Sequence, residues 1–295
     1  MSAEEFGQWA KFDRATFNGS VRFFGTQFSF NASFHRAHFS HDAGFVGAQF
    51  KEGLSFDDAR FCEDASFVAA QFGSNAIFVA TKFEKAVDFN GAQFGDGLRF
   101  DGAKFGDVAK FNAWSKQRVE GYWRSSMDAA PAASRMKFAA EFELRSDAFK
   151  SVSFAGAEFL SDVTFQNREF LATTNFGPVI PNKEVGHFRS RVQTILPCGK
   201  RSRFSGVPTF HGCKLHQDTS FDQAQFLSRS SPEAARAYRT LKLAMAQQQA
   251  IREEQTFFRL EMLTEAELQT STRRRLFKSY ENLADYGLRK LAKIT

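Results

Sequence analysis

Cysteine is almost missing from this sequence: Cys62, Cys198 and Cys213 are the only three in 295 residues. They are too few and too scattered for a disulfide framework, and they fit a reducing compartment. No run of 18 or more apolar residues occurs, so no segment reads as a membrane-spanning helix. The start, Met1 to Lys11 with Glu4 and Glu5, lacks the basic-then-apolar layout of a signal peptide. A soluble, cytoplasmic protein is therefore expected. Leucine, usually the commonest core residue, is sparse. Phosphate loops, dinucleotide fingerprints, nucleophile elbows and metalloprotease motifs are missing as well, so neither an enzyme nor a cofactor is expected. What the chain has instead is 38 phenylalanines and a hydrophobic content of 43%, which excludes a disordered chain.

The phenylalanines are ordered. From Phe12 onward they recur at 17, 23, 28, 34, 39, 45, 50, 56, 61, 67, 72, 78, 83, 89, 94, 100, 105 and 111, in alternating steps of five and six. Two positions before most of them stands a small or aliphatic residue, such as Ala32, Ala43, Leu54 or Ala65. Residues two apart point to the same side of an extended segment, so each unit is a short inward-facing stretch followed by a polar turn. Steps of five and six would wind phenylalanine around the whole circumference of a helix, which excludes that reading. The pattern predicts a β-solenoid.

One coil is 22 residues. At that spacing Gln27, Gln49, Gln71 and Gln93 form an amide ladder, while Thr16, His38, Arg60, Lys82 and Lys104 form a largely basic stripe on another face. A column of Gly25, Gly47, Ala69, Gly91 and Ala113 stays small, as a tight corner requires. The expected core includes Phe34, Phe39, Phe45, Phe50, Phe56, Phe61, Phe67, Phe72, Phe78, Phe83, Phe89 and Phe94.

These units of small residue, spacer and phenylalanine with polar corners resemble the pentapeptide-repeat proteins, in a Phe-rich variant with five- and six-residue steps. The resemblance implies an all-β, right-handed quadrilateral β-helix of about 22 residues per coil. It covers residues 12–111 and resumes in Phe149–Phe176 and Phe204–Phe226, with Leu215 in place of one phenylalanine and Cys213 in a small-residue slot. The expected organisation is a solenoid with an N-terminal cap over 1–111 and an irregular insertion over 112–148. The solenoid continues over 149–230 with a basic insert at 177–203, and a helical region follows over 231–295. That insert carries Lys183, Arg189, Arg191, Lys200, Arg201 and Arg203 against Glu184 alone. Of these, Arg189, Arg191, Lys200, Arg201 and Arg203 make a candidate basic contact.

Ser231-Pro232-Glu233 is a helix start: a capping hydroxyl, proline in the first turn, then an acid near the positive end of the dipole. The spacing predicts one helix to Leu268 and a second from about Thr272, with Leu276, Tyr280, Leu283, Gly287 and Leu291 on one face. Their expected role is to cap the open solenoid end or to form a homodimer contact. The stretch Ala237 to Lys242, then Glu253-Glu254, Phe257-Phe258 and Glu261, and finally Asp285-Tyr286-Gly287, is similar to the region after the repeats in membrane-linked pentapeptide-repeat proteins. That similarity implies a membrane link and a location at the inner face of a membrane, in a longer protein of which this chain is a soluble piece. A basic C-terminus, with Arg273, Arg274, Arg275, Lys278, Arg289, Lys290 and Lys293 against Glu281 and Asp285, agrees with it.

The histidines His35, His38 and His41 diverge around a polar corner in this arrangement. A zinc site from Cys198, His211, Cys213 and His216 is not expected, because Cys213 fills an inward slot. Paired acids such as Asp57-Asp58 read as solvated corner residues. Some pentapeptide-repeat proteins mimic DNA and bind type II topoisomerases, which needs a strongly negative rod. Residues 1–111 hold 11 Lys and Arg against 14 Asp and Glu and include a basic column, so a topoisomerase-binding protein is the alternative rather than the leading expectation. A basic nucleic-acid or lipid-surface binder is a second alternative, with any nucleic-acid binding non-specific. The leading expectation is a non-enzymatic scaffold for an unidentified protein partner, with the outer apolar column Phe24, Val46 and Val68 as its contact face.

Overall fold

A computed structural model describes residues 5–6, 9–113, 118, 148–149, 151–179 and 199–291, with side chains as far as Thr272. The chain divides into two compact units, residues 1–227 and 228–295. The first is a parallel β-solenoid. Each side of the coil contributes a strand of only two residues, and each strand pairs in parallel with its equivalent one coil on, as Arg60 with Lys82 and Phe61 with Phe83. Four stacked sheets result. Two of them run through eight strands and a third through seven, while the Gln-bearing sheet holds five before a two-strand continuation.

The five-residue steps become tight corners. After Phe12 the chain turns through Arg14 in the left-handed region (φ 58°), and the Ala15 N–H closes the turn on the Phe12 carbonyl at 3.1 Å. The same conformation recurs one coil on at Arg36, Asp58, Ala80 and Gly102, and at the opposite corner at Gly25, Gly47, Ala69 and Gly91. This explains why the second of these columns holds glycine at three of its positions: a residue without Cβ enters this region without steric cost.

The interior is a stack of rings. Phe39 lies on Phe61 at 4.6 Å and 1° between planes, and Phe61 on Phe83 at 4.9 Å. Phe45 meets Phe56 edge to face at 5.4 Å, so neighbouring columns interlock. The twelve expected core rings from Phe34 to Phe94 are all buried, none more than 5% exposed. Each contributes about 2–3 kcal/mol by burial, with stacking adding about 1 kcal/mol more.

Three of the four ladders continue across both insertions. Leu98 pairs with Val152 and Lys104 with Glu158, and Phe100 stacks on Phe154 at 5.1 Å. Beyond the second insert, Glu158 pairs with Arg203, and Phe159 stacks on Phe204 at 4.9 Å. Phe149 pairs with Phe170, so that coil is one residue shorter than the others.

The second unit is a helical hairpin, α1 (Pro232–Gln247) and α2 (Ile251–Leu291). Ser231 caps α1 by accepting from the Ala234 N–H at 3.2 Å. The break between the helices lies at Gln248–Ala250 rather than at about residue 270, and α2 runs unbroken through Thr272. The chain turns at Gln249 with φ 59°, a left-handed turn made without the glycine or proline that would mark it in sequence. The hairpin is held by Glu261, whose side chain is 4% exposed and pairs with Arg239 and Lys242 at 2.6 Å each. Burial alone would raise the Glu261 carboxyl, but hydrogen bonds from Lys242 and Arg239 outweigh it and hold it below its ordinary value. Among the described residues, no helix is long and apolar enough to cross a membrane.

Candidate interaction surface

The residues between the inward positions of each step face outward and repeat at 22-residue spacing, so the outer surface is made of columns. Gln27, Gln49, Gln71 and Gln93 stand in register on adjacent strands, with Gln27 and Gln49 each 8% exposed. On another face stand Thr16, His38, Arg60, Lys82 and Lys104, continued by Glu158 and Arg203. Here Arg60 is tied to Glu84 at 2.6 Å, while the Nε2 of His38 lies 3.7 Å from the Cys62 Sγ. Lys82 and Lys104 are exposed. Strand spacing sets these cations about 4.8 Å apart, a linear array held by the backbone.

The apolar column lies elsewhere than on an open surface. Val46 is 5% exposed and Val68 1%, and the corner residue Ala69 beside Val68 is fully buried. Phe24 is half-buried because its ring folds over Gly44 in the next coil, into the space a Cβ there would fill. Periodicity establishes that this column points out of the coil, but it carries no information on what closes over the corner. Of the basic contact residues, Arg201 and Arg203 are exposed, and Lys200 is paired with Glu158 at 3.0 Å. Arg189 and Arg191 lie outside the described residues, as does Cys198. Cys213 fills its inward slot: its thiol donates to the Phe165 carbonyl, and burial pushes it up to about 11. Among the described residues, no group of three or more His, Cys, Asp or Glu could hold a metal ion.

Two buried charges differ from the expected pattern. Asp57, read from sequence as a solvated corner acid, is 5% exposed. Burial pushes its carboxyl up to about 6, against the opposing effects of the Val79 N–H, Arg99 and Ser55, while Asp58 raises it further. A carboxyl raised in the fold stabilises below its unfolded value, near 3.8, and that stability is lost as pH rises through about 6. Asp57→Asn should therefore raise stability at pH 7–8 by about 1–3 kcal/mol and flatten the pH dependence between about 4 and 6. Urea denaturation across that range checks it, and parallel curves for the two proteins would contradict the burial argument.

Arg168 is the second. It stands two positions before Phe170, in the inward column that holds Ala48, Ala70 and Ala92, and it is 2% exposed. Its Nε donates to the Phe111 carbonyl at 2.6 Å, and a terminal nitrogen reaches the carbonyls of Asn112 at 3.3 Å and Phe89 at 3.5 Å. The guanidinium also faces the rings of Phe94 and Phe149, at 5.5 and 5.2 Å. A signal was present in sequence, since a long cation in a column of alanines is out of place there.

The large exposed apolar side chains divide between the units. Trp9, Phe30, Leu160, Leu171 and Leu227 are scattered over the solenoid, whereas Leu243, Ile251, Phe258, Met262 and Leu263 cluster on the hairpin. No curated protein and no solved structure matches the chain. The family model described as pentapeptide repeats (9 copies) matches residues 45–93. That segment is similar to pentapeptide repeats, and the four parallel sheets that run through and beyond it make the first unit a parallel β-solenoid.

Proposed function

We propose that the chain is a non-enzymatic scaffold for protein–protein interaction. The observation that carries this reading is the division of labour along each coil. Inward positions are given to stacked phenylalanine, and outward positions form in-register columns of fixed spacing on a backbone that cannot easily deform. Such a rod offers position rather than chemistry: side chains at strand spacing, with little conformational entropy left to lose on binding. The basic column with exposed Lys82 and Lys104 supports a partner carrying matched acidic groups.

The test is affinity capture with the immobilised full chain and with a Lys82→Glu, Lys104→Glu variant. A specific protein retained by the first and lost by the second supports the reading. A supercoiling assay with a type II topoisomerase separates the alternative, since inhibition or protection there would replace a general scaffold by a topoisomerase-binding function. Turnover of a small molecule by the purified chain would overturn the proposal.

A further inference from the structure

One nucleophile on the outside of the solenoid has a base beside it. Cys62 stands two residues after Arg60 and, like it, points out of the coil. Because Phe61 pairs with Phe39, the residue facing Cys62 one coil before is Ser40, with His38 on the diagonal. The Nε2 of His38 is 3.7 Å from the Cys62 Sγ, within reach of a hydrogen bond to sulfur. The two residues are 24 apart in sequence, so only the register of the coils brings them together. Both are half-buried, and the backbone holds them in place: the Cys62 N–H donates to the Phe39 carbonyl at 2.9 Å.

The charges around the thiol indicate the reagent. Glu84, which faces Cys62 from the next coil, is tied to Arg60 at 2.6 Å, so that acid and that cation offset each other. Lys82, on the diagonal opposite His38, is exposed and makes no ion pair among the described residues. An anionic reagent approaching the thiol therefore meets an unpaired ammonium. Cys213 offers none of this, since it faces inward and its thiol donates to the Phe165 carbonyl. We propose that Cys62 is a site of reversible S-thiolation by a small anionic disulfide, with His38 as the base. In the tautomer that leaves Nε2 free, His38 accepts the thiol proton while the Cys62 sulfur attacks one sulfur of the reagent. A bond forms between the two sulfurs, the S–S bond of the reagent breaks, and the departing thiolate takes the proton from His38. Cys62 is oxidised to a mixed disulfide, and half of the reagent is reduced to a free thiol. The site does not depend on the scaffold reading, although it lies beside the column that reading uses.

The test is incubation of the reduced full chain with glutathione disulfide, followed by intact mass and peptide mapping. The expected product is one glutathione adduct on Cys62, removed by excess dithiothreitol. Cys62→Ser should abolish it. His38→Ala should slow its formation about ten-fold or more while leaving the denaturation midpoint close to that of the wild type. If that variant fails to fold, His38→Gln supplies the comparison, because an amide keeps the polarity without the base. Lys82→Glu should slow the reaction with glutathione disulfide but not with the uncharged bis(hydroxyethyl) disulfide. An unchanged rate in a folded His38 variant overturns the proposal, as does labelling confined to Cys198 or Cys213. Equal slowing of both reagents by Lys82→Glu, or of neither, would overturn the choice of an anionic disulfide. Chains linked in pairs through Cys62 in place of the adduct would assign the thiol to a cross-link and overturn the proposal as well.

Discussion

Replacing Phe61 with aspartate should unfold the central coils of the solenoid. Phe61 is fully buried and packed on four rings: Phe39 and Phe83 above and below, with Phe56 at 5.6 Å and Phe67 at 6.1 Å to the sides. Removing the ring alone costs about 3–5 kcal/mol in lost burial and cavity. A carboxyl in its place has no partner in that column and adds several kcal/mol more. In a solenoid each coil is stabilised by its two neighbours, so the loss spreads along the axis instead of staying local. The expected result is an insoluble protein, or one whose β-type circular dichroism collapses. Phe61→Leu, which keeps much of the apolar volume, should fold with a lower denaturation midpoint. A soluble Phe61→Asp protein with an unchanged spectrum and midpoint would refute the inward stacking of this column.

The second large effect is expected at Arg168. Arg168→Ala leaves the carbonyls of Phe111, Asn112 and Phe89 without its hydrogen bonds and opens a cavity beside Phe94 and Phe149. The Asn112 and Phe89 carbonyls keep the N–H groups of Gly91 and Ala92, so the main loss is the Phe111 carbonyl left without a donor, about 1–3 kcal/mol, together with the cavity. The three carbonyls belong to coils before the first insertion and Arg168 to the coil after it, so this side chain staples the two halves of the solenoid together. Loss should show as early proteolysis of the C-terminal coils, ahead of those around residues 45–93. Arg168→Lys should rescue only part, because one ammonium on a flexible stem cannot hold three carbonyls in a fixed fork. Equal protease resistance of both halves in the alanine variant would mean that the staple carries no weight.

The two residues behave differently because their surroundings do. Phe61 belongs to a column that repeats without change, and any of its central members would serve as well. Arg168 occurs once, where the coil is one residue short and the chain has just returned from an insertion. Repetition explains the stability of the rod, while the exception explains how the rod survives an interruption.

Much of the architecture is legible in the residues themselves. The steps of five and six place every ring inside, and the separation of Gln27, Gln49, Gln71 and Gln93 from His38, Arg60, Lys82 and Lys104 at 22 residues sets the coil length. The small column Gly25, Gly47, Ala69 and Gly91 marks a corner that proves left-handed in its backbone. These features follow from contacts between equivalent positions one coil apart, and a repeat writes such contacts into its own period. The hairpin start at Ser231-Pro232 is local chemistry and is legible for the same reason.

What only the tertiary structure decided lies where the period stops. The burial of Val46 and Val68 depends on what closes over a corner, and no spacing rule encodes that. Asp57 is a solvated acid by sequence and a buried one in the fold, because desolvation is a property of the surroundings and not of the residue. The helix break at Gln249 has no breaker residue; it is set by how α1 and α2 pack around Phe257, Leu260 and Glu261. Periodicity determines which way a side chain points, and the packing of distant segments decides what it meets there.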